Sequence, residues 1–329
     1  MVKKFKINYI NLGGSNYVDA KDPTKENIAV GKNSVLFLNK GKISEFSLIN
    51  NNFIPLPEEI IVETNFKQVS TSKILDIKFG LKNDGTILVW GDNKDYFGEN
   101  FFSNENFSNI IQMSTSNHLI FFRDNVDNQD NDMYQILFIH GKSLTDENFS
   151  KKIVKKEIQK IKQIYQTEKY FFILKIIEDD YHTAIYRYEI TNNFQSYNLD
   201  EYELDDDFKK FYFNDDNINI RLISANDINI VGLLTDNKII IKFDINDDDD
   251  SIDEQYTIVN EDDIYDVGIN YNLYKNKKIE VTKPNDEIIS FMDIDDVKIQ
   301  DNVMYIIKES TFYKYDLNTE KLITYNLLQ

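Results

Sequence analysis

The sequence predicts an all-β chain folded as a seven-bladed β-propeller, with its ring closed by strands from the two chain ends and residues 1–329 forming a single domain. Three observations carry this. Short apolar runs of strand length, separated by polar turns, recur along nearly the whole chain. A pattern of the form I-x-Q-(V/M/I)-S opens several of these units, so the chain repeats itself. Both ends, "FKINYINL" (5–12) and "KLITYNLL" (321–328), alternate as short strands do and suit a shared closing sheet.

The clearest unit spans residues 66–98. "FKQVSTS" is its first strand, "IKFGL" its second, and "TILVW" its third. Between the last two lies "KNDG", where Asp84-Gly85 supplies the positive φ of a tight hairpin. The same order recurs. "IAVGKNSVLFLNKGKISEF" (28–46) precedes it, with a turn at Lys40-Gly41. "IIQMSTSNHLIFF" (110–122) follows, with "QILFIHG" (135–141) as its later strand and His140-Gly141 where Trp90-Gly91 stood. Further copies begin at 161, 220, 264 and 297. That gives seven units at a spacing of roughly 30–60 residues, near that of propeller blades. A small sheet that is apolar on both faces cannot bury them alone, and radial packing in a closed ring lets each sheet cover the next. One stretch has a second reading: the apolar residues of "SKKIVKKEIQKIKQI" (150–164) also fall near helical spacing.

The repeat resembles that of the RCC1 (regulator of chromosome condensation) family of propellers. The residues that carry the resemblance are Gln68, Val69, Leu81, Asp84, Gly85, Trp90, Gly91 and Asn93, with His118, His140 and Gly141 in the next unit. The chain departs from the family in having few blade glycines, Ile77 at a position where the family often has histidine, and "KDYF" inserted after Asn93. The resemblance implies a structural motif, with glycines for turns and the tryptophan and histidines for packing between blades. It also implies, as an alternative function, guanine-nucleotide exchange on a small GTPase.

Composition narrows the function classes. The 56 carboxylates outweigh 37 basic groups, for a net charge of −19, so a nucleic-acid or anionic-membrane partner is disfavoured. With no cysteine, disulfides, thiolate metal sites and cysteine nucleophiles are excluded. No apolar run reaches the ~20 residues of a membrane span, and the lysines and asparagines of "MVKKFKINYINLGG" argue against a signal peptide. The expected location is intracellular or within a virion. Heavy use of Ile, Asn, Asp and Lys suggests an AT-rich genome, such as that of a protist or a large DNA virus.

No residue set predicts chemistry. His118, His140 and His182 fall at different strand positions and do not converge. "DINDDDDSIDE" (244–254) imitates the start of an EF-hand loop but has Asp249 where the turn glycine belongs and Gln255 at the last ligand position. "VDNQDNDMY" (126–134) and "EYELDDDF" (201–208) read as solvated acidic loops, "KKIVKK" (151–156) as an exposed basic run, and "NLGGSNY" (11–17) as a turn without phosphate-loop spacing. No catalytic, cofactor-binding or metal residue is therefore assigned. The expected function is a non-catalytic scaffold for other proteins, with an enzyme acting in the central channel as the least supported alternative.

Overall fold

A computed structural model describes residues 8–10, 21–22, 26–97, 101–103, 107–115, 119–124, 133–139, 154–159, 161–177, 182–189, 209–211, 219–226, 228–234, 238–242, 256–260, 264–309 and 311–326. After β1 (Asn8–Ile10), strands β2 (Ile28–Val30), β3 (Ser34–Asn39), β4 (Lys42–Ser47) and β5 (Phe53–Ile54) form one antiparallel sheet. A short helix, α1 (Glu58–Ile61), leads to the three strands β6 (Phe66–Thr71), β7 (Lys78–Lys82) and β8 (Ile87–Trp90) of the next. The third sheet holds β9 (Ile110–Ser114), β10 (Leu119–Asp124), β11 (Met133–Ile139) and β12 (Val154–Gln159). The fourth holds β13 (Ile161–Gln166), β14 (Tyr170–Ile177), β15 (His182–Glu189) and β16 (Lys209–Phe211). Then come β17 (Ile220–Ala225), β18 (Ile230–Leu234), β19 (Lys238–Lys242) and β20 (Tyr256–Asn260), followed by β21 (Ile264–Gly268), β22 (Tyr271–Tyr274), β23 (Ile279–Thr282) and β24 (Ile288–Phe291). The last sheet is β25 (Asp296–Gln300), β26 (Val303–Lys308), β27 (Thr311–Asp316) and β28 (Leu322–Asn326).

The fold is an all-β propeller, but among the described residues it has five four-stranded blades, not the seven expected, and no terminal clasp. Five of the sheets are four-stranded blades; the sheet of β6–β8 has three strands and that of β21–β24 has five. The fifth strand is β1, which runs parallel to β24 with Asn8 opposite Ile289. The C-terminal strand β28 pairs instead with β27 in its own hairpin, Phe312 opposite Tyr325. The two ends therefore enter different sheets. A local hairpin closes a shorter loop than a clasp between residues more than 300 apart, so β28 completes the sheet it follows.

Packing joins the last sheet to the first without a shared strand. Phe312 of β27 lies 4.1 Å from Phe37 and 5.2 Å from Phe46, ring centre to ring centre, and Tyr325 of β28 lies 4.6 Å from Phe46. Strand alternation supplies both neighbours. Val35 and Phe37 of β3 face this cluster, whereas Leu36 and Leu38 face Val69 and Trp90 of the following sheet. Each such fully buried side chain contributes about 1.5–3 kcal/mol.

The I-x-Q pattern has a backbone cause. The pairing register slips by one residue between Phe66 and Gln68, Ile161 and Gln163, Ile220 and Leu222, and Ile264 and Asp266. The residue marked x is thus the extra residue of a β-bulge repeated at the start of these inner strands, where it bends the strand and increases its twist. The helical reading of 150–164 is also corrected: Val154–Gln159 pairs with β11 residue by residue, from Phe138↔Val154 to Met133↔Gln159. That ladder satisfies the β11 edge, which a helix would leave open.

Candidate functional site

The first strand of each sheet faces a central cavity of about 410 Å³. Around it the repeat's glutamine does one definite thing. Gln68 donates from Nε2 to the Met113 carbonyl (2.7 Å) and accepts at Oε1 from the Met113 N–H (2.9 Å). Gln112 binds both backbone groups of Ile164 in the same way (3.2 and 2.9 Å), and Gln163 those of Ile223 (3.1 and 2.8 Å). Each amide acts as a short extra strand residue that ties one inner strand to the next. The relay stops at Leu222, which has no polar atom. The next inner strand then satisfies its own donor: the Val267 N–H bonds to Oδ1 of Asp266 at 3.0 Å, and the Val297 N–H to Oδ1 of Asp296 at 2.8 Å. Val69 is served by the carbonyl of Glu26 at 3.0 Å. Three different devices thus satisfy one kind of buried N–H.

Asp266 and Asp296 occupy the repeat's glutamine position, and Lys21 joins them. Its ammonium lies 2.8 Å from Asp266 Oδ2 and 3.0 Å from Asp296 Oδ1, while Asn27 donates to the other oxygen of Asp296 at 2.9 Å. The Tyr271 hydroxyl donates to Asp266 Oδ2 at 3.2 Å. Burial alone would push the Lys21 ammonium down, but the two carboxylates outweigh it and hold it well above the ordinary lysine range. Burial pushes the Asp266 carboxyl up, against the pull of Lys21. It also pushes the Tyr271 phenol well up, and that of Tyr265 to about 12. Beside them Lys298 pairs with Glu26 and is likewise held above the ordinary range, burial being outweighed by that carboxylate. With both carboxylates taken by Lys21, Asn27 and Tyr271, the arrangement works as a joint between inner strands.

The motif residues of 66–98 also sit at sheet junctions. Val69 and Leu81 are fully buried, on opposite faces of their sheet. Asp84 Oδ1 accepts from the Thr86 hydroxyl (2.7 Å) and N–H (2.9 Å), and these bonds hold its carboxyl below the usual range. Gly85 has φ +82°, and a Cβ there would stand 2.9 Å from Cα of Asn109 in the following link. Gly91 has φ +112°, and a Cβ would fall 2.2 Å from the Asp76 carbonyl oxygen. Asn93 closes this corner, accepting from the Asp76 N–H at 3.1 Å. "KDYF" forms a 3-10 turn at Lys94–Phe97. Trp90 donates to Glu45 of the preceding sheet, and Lys78 lies 3.0 Å from the same carboxylate and 2.6 Å from Asp76.

His118, His140 and Gly141 lie outside the described residues, as do 11–17, 201–208 and 244–254. His182 opens β15. Among the described residues no group of three or more His, Cys, Asp or Glu is placed to hold a metal ion. Lys21 and Glu45 carried no signal in the sequence, because neither belongs to the repeat pattern. Asp266 and Asp296 did, in the parallel strings "IYDV" and "IDDV" that align with "FKQV".

No sequence-family model and no curated protein sequence matches the chain. Solved structures do. Apo AztD from Citrobacter koseri aligns with a TM-score of 0.55 at 7% identity, covering 91% of this chain and 96% of that one. PorZ, described as an essential surface component of the type-IX secretion system of Porphyromonas gingivalis, aligns at 0.53 and 10% identity over 95% of this chain but only 39% of its own length. The neighbours also include yeast RCC1 (Prp20) in complex with Kap60, at 0.47 and 13% identity over 89% of this chain and 70% of that one. At these identities the likeness is one of fold alone: the chain is a β-propeller.

Proposed function

We propose that the protein is a non-catalytic scaffold that binds other proteins. The observation that carries this is a run of exposed large apolar side chains within one short stretch of chain, residues 49–62. Ile49 follows β4, Ile54 ends β5, and Ile61 and Val62 close α1; at 59% and 70% exposed, the last two are among the most solvent-facing large apolar residues of the described chain. Exposed large apolar residues that recur this closely along the chain mark a contact surface for protein. The polar groups around the cavity support the same reading, because they bond to one another and to backbone. Among the described residues no helix is long and apolar enough to cross a membrane.

The test is crosslinked capture of partners from the native source, read by mass spectrometry, with wild-type protein and a doubly substituted Ile61→Asp/Val62→Asp form. A defined partner set captured by the wild type and lost from the double variant is the expected result. An empty capture by folded wild-type protein would sink the scaffold reading. Recovery of a small GTPase whose nucleotide release the protein accelerates would replace it with the exchange-factor alternative.

A further inference from the structure

We infer that the outer edge of β8 is a docking site for an extended segment of a partner protein, which adds as the fourth strand of the sheet β6–β8. This rests on the scaffold reading above and names where and how one partner is held. Among the described residues the sheet has three strands where every other sheet has at least four. The direction of its free backbone groups follows from the register. The Lys82 N–H donates to the Thr86 carbonyl at 2.9 Å, and the pairs Leu81↔Ile87, Gly80↔Leu88, Phe79↔Val89 and Lys78↔Trp90 follow. Antiparallel pairs alternate between bonded and non-bonded, so Leu88 and Trp90 bond to β7. Ile87 and Val89 turn their N–H and C=O groups the other way, to the open edge. No partner for these groups is present among the described residues.

The strand is firmly held, and the 3-10 turn Phe101–Ser103 packs against it on its Phe79 face. Ile87 and Val89 pack their side chains on the cluster around Phe79, and Leu88 packs beside Trp90 on the opposite face. The turns that follow pack Phe102 onto Phe79 (5.3 Å) and Phe121 (6.3 Å), on the face shared with the next sheet. The strand itself, Ile-Leu-Val-Trp, has no lysine, proline or inward charge of the kind that blunts an exposed edge. A peptide adding here gains main-chain bonds from Ile87 and Val89 and presents alternate side chains to the two faces.

Charge selects the occupant. Asp84 is exposed before the strand, and Asp92, Lys94 and Asp95 are exposed after it, so acid outweighs base on the exposed flanks. A second copy pairing β8 against β8 would set Asp84 of one chain near Asp92 of the other, in a molecule already at −19. Like charges so placed disfavour self-pairing. The fitting segment is therefore a short run of β-branched residues flanked by lysine or arginine.

The experiment follows amide hydrogen exchange in the isotope-labelled full chain. The probe is a synthetic hexapeptide with arginine at both ends and alternating valine and threonine between. Expected is a slowing of exchange at Ile87 and Val89 by about tenfold or more, with Leu88 little changed because its N–H already faces β7. A control peptide with glutamate in place of arginine should leave both amides fast. Val89→Pro removes an outward donor and no ladder bond, so it should keep the wild-type circular dichroism and abolish the protection. If that variant does not fold, the wild-type exchange alone decides. Unchanged exchange at saturating peptide, or equal protection by the glutamate peptide, would overturn the proposal. So would concentration-dependent protection without peptide, which would assign the edge to a second copy. Equal capture of cellular partners by wild type and a folded Val89→Pro form would remove the edge and leave the scaffold reading intact.

Discussion

The indole N–H of Trp90 donates to Oε2 of Glu45 at 3.1 Å, across the junction between two sheets and 45 residues of chain. The Lys78 ammonium lies 3.0 Å from the other oxygen of the same carboxylate, as an ion pair. All three side chains are buried. One carboxylate thus meets an indole donor and an ammonium from the following sheet, and loss of either affects the other. Trp90→Phe and Glu45→Gln should each lower stability by about 1–3 kcal/mol. Together they should cost less than the sum, because they break one network. Urea unfolding followed by circular dichroism measures this; additive losses would show that the contact is incidental. As the chain's one tryptophan, Trp90 also reports this junction by fluorescence in the wild type.

Gln68→Leu keeps the side chain's bulk and strips the N–H and C=O of Met113 of their partners. Two buried backbone groups left unbonded should cost about 2–4 kcal/mol, with faster amide exchange at Met113. The natural Leu222 is no precedent for tolerance, because Asp266 satisfies the donor that follows it.

Lys21→Met leaves Asp266 and Asp296 facing each other without a cation. Breaking a buried pair in this way should cost about 3–5 kcal/mol at neutral pH. Burial already raises the Asp266 carboxyl, and a group whose folded pKa is raised gives its full stability below its unfolded value. The deficit of the variant should therefore shrink as the pH falls into the range where Asp266 protonates. A deficit independent of pH would assign the loss to packing.

Stability should fall on the alkaline side. The phenols of Tyr265 and Tyr305 are pushed from 10.0 to about 12, mainly by burial, and Lys21 is held above 10.5. All three bind their protons more tightly when folded. Their contribution is complete below the unfolded values and is lost as the pH rises, for the two phenols through about 12. The denaturant midpoint should decline from about pH 10 upward, with tyrosinate absorbance rising late for these two rings. Early ionisation of every tyrosine would contradict the burial.

Gly91→Ala forces a side chain into φ +112° and against the Asp76 carbonyl. The backbone strain alone should cost about 1–3 kcal/mol, seen as a lowered melting temperature.

The sequence by itself determined two or three strands of each unit, the hairpin at Asp84-Gly85 and the recurrence of I-x-Q, because each depends on residues close in the chain. Alternation, turn chemistry and a bulge are local properties, and they repeat wherever the local string repeats. Two things misled. The string 150–164 fits two periods, and only the partner strand β11 chose between them. The chain ends have strand-like patterns that do not name a partner, so β1 and β28 enter different sheets. The joint at Lys21 was beyond local reading: its carboxylates lie 245 and 275 residues away. A lone lysine before the repeats looks like any surface lysine until closure of the ring removes water from around it. Only then does the missing hydration make two carboxylates the place where its charge must go.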